Sequence, residues 1–85
     1  MTSVILPTHL RSYTGGVAVI RAEGKTVGAL LADVERQFPG FLIRVVDEQD
    51  RFRPHIKCFV AGEQALGLEA PVRGDVQLIA ALSGG

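Results

Sequence analysis

Cys58 is the chain's one cysteine, so an internal disulfide is impossible and the fold has to hold by packing. The same scarcity agrees with a reducing compartment, and the expected location is the cytoplasm. An excess of either charge is missing too, because nine basic residues balance nine acidic ones and the formal charge is zero. A chain without a net field exerts little pull on phosphate backbones or anionic lipid, so neither nucleic acid nor a membrane is an expected partner. No apolar run approaches the roughly 20 residues that cross a bilayer. The opening MTSVILPTHLRS also lacks a basic region leading into a long apolar stretch. Metal chemistry lacks its ligands: His9 and His55 have no compatible cluster of histidine, cysteine and acidic residues at short spacing. TGG at 14–16 has neither the lysine nor the following Ser/Thr of a phosphate-binding loop, and GEQALG does not begin a convincing helix. No nucleophile, base and orienting group can be assembled from the residues present, so the chain is not expected to be an enzyme or to hold a cofactor of its own.

What is present is a hydrophobic chain of one-domain size. Its 85 residues are 47% hydrophobic and 21% charged, without repeat, low-complexity tract or linker, so 1–85 reads as a single autonomous unit. SVILP reads as a first strand ended by Pro7, YTGG as turn chemistry, and VAVIRA (17–22) as a second strand forming an antiparallel hairpin with the first. Val27, Leu30, Leu31, Val34 and Phe38 recur at spacings of three and four, which predicts a helix with Thr26 as N-cap and Pro39-Gly40 as its stop. The charged stretch that follows, through DEQDRFRP, reads as irregular. HIKCFV alternates with a period of two and predicts a half-buried strand in which Cys58 faces inward beside Ile56 and Val60 as an inert thiol. AGE and VRGD read as turns, with a short segment between them and a last strand from Val76 to Ala81. Strands on both sides of one helix predict an α+β domain, a mixed four- to five-stranded sheet packed on that helix.

ALSGG closes the sequence. Two glycines bury nothing, so by residue type a frayed end is one reading. The other is functional: a diglycine backbone threads a channel too narrow for any Cβ and carries the terminal carboxylate with it. A carboxylate is ionised at neutral pH and a poor electrophile, so acyl chemistry at Gly85 would need activation, for which an acyl-adenylate from ATP is suitable. A separate enzyme would have to supply the nucleotide site.

VILPTHLRSYTGG, a helix ending in FPG, FVAGE and RGDVQLIAALSGG stand in an order and spacing that resemble the ubiquitin-like (β-grasp) sulfur carriers of the MoaD/ThiS family. The resemblance covers almost the whole chain, and PTHLRSYTGG is most similar to the carriers of cysteine biosynthesis. Ala61 and Ala80 depart from the family pattern, where asparagine and proline are common. The resemblance implies that an E1-like adenylating enzyme (MoeB/ThiF type) uses ATP to activate the carboxylate of Gly85, reached through Gly84. A sulfur donor then displaces AMP to leave a thiocarboxylate. In the cysteine branch the sulfur passes to an amino-acrylate on a pyridoxal-phosphate cysteine synthase. The resemblance also implies a partner surface on the open sheet face, carried here by Phe59, Ile79, Ala81, Leu82 and Arg11. Alternation supports this for two of them, since Phe59 and Ile79 both fall out of phase with the core residues of their strands. Two alternatives need the same strand and glycines: the small subunit of molybdopterin synthase, and a ubiquitin-like modifier conjugated to lysines.

Overall fold

Proline and glycine set the first turns of the fold. The computed structural model describes residues 1–80. β1 (Thr2–Ile5) stops before Pro7, and a 3₁₀ helix, η1 (Thr8–Thr14), carries the chain to β2 (Val19–Ala22). η1 ends at Gly15 (φ 64°) and Gly16 (φ 88°), left-handed positions that favour glycine, with Gly16 N donating to Arg11 O at 2.7 Å. The hydroxyl of buried Thr14 lies 2.9 Å from Val17 O and 3.1 Å from Arg11 O. The shorter contact, together with Val17 N donating to Thr14 O at 3.2 Å, holds Val17 in the turn, so β2 begins later than the expected Val17. The hairpin itself is present, antiparallel, with Val4 opposite Ile20 and Ile5 opposite Val19.

α1 (Val27–Gln37) buries Val27, Leu30, Leu31 and Val34, the periodic set read from sequence. Its first N–H groups, which no helical carbonyl can reach, all find acceptors. Thr26 Oγ1 takes Ala29 N at 3.2 Å, while Ala70 O and Leu68 O take Val27 N at 2.9 Å and Gly28 N at 2.8 Å. Gly28 thus has a packing reason: a Cβ there would lie 3.2 Å from Leu68 Cβ. The stretch expected to be irregular contains a one-turn helix, α2 (Leu42–Val45), pinned to α1 by Glu35, whose carboxylate accepts from Gly40 N at 3.0 Å and Leu42 N at 2.8 Å.

β3 (Ile56–Val60) and β4 (Glu63–Ala65) form a tight antiparallel pair turned by Ala61 and Gly62, and β5 (Val76–Ala80) closes the set. The sheet is five-stranded with order β2-β1-β5-β3-β4. β5 lies in the middle, parallel to β1 and antiparallel to β3. Val4, Ile20, Ile56, Cys58, Val60, Val76 and Leu78 meet the buried side of α1 in one core, the α+β arrangement expected. Among the described residues no helix is long and apolar enough to cross a membrane.

Candidate functional site

The period of two that buries one side of the sheet leaves the other side uncovered. Val19, Ile5, Gln77, Phe59 and Gln64 are successive partners across β2, β1, β5, β3 and β4 and make one row on that open face. Ile79 stands one step along β5, opposite Lys57 and diagonal to Phe59. Phe59 is half-buried and Ile79 is 37% exposed, whereas Leu78 between Gln77 and Ile79 is 1% exposed. The two residues expected to share a patch therefore do share a face. Sequence reasoning missed Ile5 and the exposed Val19, which extend it. The signal was available, since Ile5 is out of phase with buried Val4 and Leu6 just as Phe59 is with Cys58 and Val60.

Toward the end of β5 the open face runs into a groove of about 580 Å³ lined by Ile5, Pro7, Arg11, Ile79 and Ala80. Parallel pairing is the cause: Ile5 aligns with Gln77, so the chain that continues through Pro7 into η1 runs beside Ile79 and Ala80. Arg11 reaches back across this turn and donates from Nε and Nη2 to Leu6 O at 3.3 and 3.2 Å. It belongs to the groove wall as well as to the clip that holds η1 against the end of β1. Ala81, Leu82, Gly84 and Gly85, the other site residues expected from sequence, lie outside the described residues.

Cys58 is buried between Ile56 and Val60 on the core side, and burial pushes its thiol up to about 11. At neutral pH it stays protonated, the wrong state for a nucleophile or a metal ligand. His9 and His55, for which the sequence offers no compatible ligand cluster at short spacing, are both exposed, and the fold brings their rings to 5.8 Å between centroids. Among the described residues no group of three possible metal ligands forms around them or elsewhere.

A mixed five-stranded sheet with its last strand between the first and third, and one main helix across one face, defines the class: a β-grasp, ubiquitin-like fold. No family model matches the sequence. The sulfur carrier protein CysO of Mycobacterium bovis is 32% identical to it, across 98% of this chain and 97% of that protein. A chain of the Amycolatopsis orientalis BexX/CysO complex superposes with a TM-score of 0.90 at 33% identity, covering 100% of both chains. SAMP1 of Haloferax volcanii superposes with a TM-score of 0.73 at 26% identity, covering 99% of this chain and 98% of that one. The chain belongs to the CysO family of ubiquitin-like sulfur carriers.

Proposed function

We propose that this carrier presents the α-carboxylate of Gly85 to an E1-like adenylating enzyme and leaves as a thiocarboxylate. The carboxylate oxygen attacks the α-phosphorus of ATP and pyrophosphate departs, giving an acyl-adenylate. Sulfur supplied by a donor at the sulfide level, as HS⁻, then attacks the acyl carbon; the C–S bond forms, the C–O bond to AMP breaks, and loss of the thioacid proton leaves the thiocarboxylate. The product keeps its sulfur on a protein address, so it is handed to a chosen acceptor without free sulfide. In cysteine biosynthesis that acceptor is an amino-acrylate on a pyridoxal-phosphate enzyme. Catalysis belongs to the partners, and the carrier acts as their co-substrate.

The observation that carries this reading is the end-to-end likeness to CysO. The local structure supports it: β5 is a central strand held on both sides, so the segment after Ala80 starts from a fixed point beside an apolar groove. The likeness to SAMP1, a small modifier protein by name, favours conjugation to lysines as a second reading that uses the same activated terminus.

ATP–pyrophosphate exchange with the activating enzyme tests the shared step. Deleting Gly85 moves the carboxylate back by about 3.5 Å, one extended residue, too far for in-line attack, and exchange should vanish. Full exchange by the deleted form would overturn the role of the terminus. Intact mass of protein from its native host then separates the two readings: one oxygen replaced by sulfur marks the carrier, and a lysine-linked adduct marks the modifier.

A further inference from the structure

Charge is distributed unevenly along this neutral chain. All nine acidic residues fall within 23–50 and 63–75. Residues 1–22, 51–62 and 76–85 contain none, yet hold Arg11, Arg21, Arg51, Arg53 and Lys57. The fold gathers these acid-free stretches, because they supply β1, η1, β2, β3 and β5. Arg21, opposite Ser3, stands toward one end of the sheet, while Arg11, Arg53 and Lys57 stand toward the end where β5 finishes.

At that end is a cleft of about 430 Å³, lined by His9, Tyr13, Arg44, Arg53 and His55 around Ile43, with no aspartate or glutamate in its wall. Its cations are held in place by neutral partners. Arg44 Cζ lies 4.7 Å from the Tyr13 ring centroid, a stacking that leaves the in-plane N–H groups of a guanidinium available. Arg53 donates from Nε to Ile43 O at 2.6 Å, which orients the group while leaving its terminal nitrogens uncommitted to that bond. Arg36, Arg51 and Arg73 each pair with a carboxylate. Among the described residues Arg44 makes no such pair, and Arg53 makes no direct one: after the hydrogen bond from Arg51 N, its charge is a lesser contributor to holding the Asp47 carboxyl below its ordinary value. No carboxylate lines the cleft beside these two guanidiniums and two imidazoles, so an outside carboxylate is the acceptor that would pair with the guanidinium nitrogens left uncommitted.

The cleft lies where β5 ends. His55 precedes Ile56, which pairs with Ala80, and His9 lines both the cleft and the groove along Gln77–Ala80. A partner that receives the segment after Ala80 stands over both. We propose that the cleft seats an aspartate or glutamate side chain of the activating enzyme, next to the point from which the terminal segment departs. This rests on the carrier reading above. A protein carboxylate fits better than a free anion because the cleft and the apolar groove of Pro7, Ile79 and Ala80 are neighbours that share His9 in their walls. One protein surface can fill both; a small anion fills only the charged half.

Binding of the carrier to the activating enzyme, measured at low and high salt, tests the assignment. The pair Arg44→Glu/Arg53→Glu should weaken binding by about 10- to 100-fold at low salt, mainly through a slower association rate, with KM in the exchange assay rising in step. The gap should narrow at high salt as the screening length contracts. The control pair Arg36→Glu/Arg73→Glu changes the net charge equally outside the cleft and should bind within about two-fold of wild type at high salt and far more tightly than the cleft pair at low salt. Arg44→Gln/Arg53→Gln, a milder change, should show a smaller loss and serves if the reversed pair does not fold. Equal losses in the cleft and control pairs would overturn the proposal. So would saturable chemical-shift changes confined to the cleft on adding inorganic phosphate to the isolated carrier, which would assign the cleft to a free anion. Wild-type binding without exchange would overturn the carrier reading and leave the affinity comparison to decide the cleft. No wild-type binding would overturn both.

Discussion

The two faces of one sheet divide this molecule's work. Val4, Ile56, Cys58, Val60, Val76 and Leu78 look toward α1 and are at most 4% exposed, while Ile5, Lys57, Phe59, Gln77 and Ile79, one step along the same strands, look outward. The inner set is uniformly apolar because each side chain removed from water contributes about 1.5–3 kcal/mol, and a polar atom there would need a partner. The outer set mixes apolar and polar residues, as a face left in contact with water allows. Strand identity therefore says little about a residue's role, and parity decides it.

The hardest way to break that comparison is to put a charge on the wrong face. Leu78→Asp places a carboxylate in the core, 1% exposed at present, where neither α1 nor β3 offers a cation. A loss of about 3–5 kcal/mol is expected, comparable with the whole stability of a domain this small. Thermal melting and circular dichroism should show an unfolded or barely folded chain. A native melting curve would mean that the facing assignment of β5 is wrong.

A gentler probe of the inner face is Cys58→Ala, which removes one sulfur from the core and should cost about 1 kcal/mol. Sulfur loading should survive, because a buried thiol held up to about 11 is not a relay group. Loss of thiocarboxylate in a folded alanine variant, read by intact mass, would place Cys58 in the relay.

Much of this contrast was legible in the sequence, for reasons of range. The alternation in HIKCFV and the spacing of Val27, Leu30, Leu31 and Val34 are local, so the faces of β3 and α1 follow from a few neighbouring residues. η1 and α2 were not legible. THLRSYT shows no sustained period before the YTGG turn signal, and the four residues of α2 are too few to show one. The placing of β5 between β1 and β3 is a long-range fact, set by which edges remain after the hairpin forms. The approach of His9 to His55 depends on it, so no reading of local spacing could have found that pair. The Phe59–Ile79 patch was legible because parity alone places it, while the groove beside it had to wait for the β1–β5 register.

The cover over the inner face can also be loosened without touching the sheet. Glu35 ties α1 to the turn before α2, and hydrogen bonds from Leu42 N and then Gly40 N hold its carboxyl below its ordinary value of 4.5. Because the folded state lowers this pKa, the stabilisation is fully present above 4.5 and is lost as pH falls through the lower folded value. Glu35→Gln should therefore cost about 1 kcal/mol at neutral pH, and the difference from wild type should shrink on acidification below that point. Urea unfolding at neutral pH and near pH 3 measures both gaps. A gap that stays constant with pH would show that the charge contributes nothing beyond the shape of the side chain.

The smallest effect on stability should come from the outer face, and it is the most telling. Ile79→Asp changes the same chemistry as Leu78→Asp one residue away on the same central strand. Ile79 is already 37% exposed, so the new carboxylate keeps its water and pairs across the strand with Lys57 instead of losing solvation in a core. Stability should shift by no more than about 0.5 kcal/mol, the usual range for a surface change. Binding to the activating enzyme should nonetheless suffer, because the aspartate interrupts the apolar surface that Ile79 shares with Ile5, Pro7 and Phe59 and puts an acid beside a site proposed to receive one. Melting temperature and affinity measured on the same preparation separate the two consequences. A variant that melts and binds like wild type would remove the open face from recognition and leave only the terminus and the basic cleft. One that melts as low as Leu78→Asp would erase the distinction between the faces altogether.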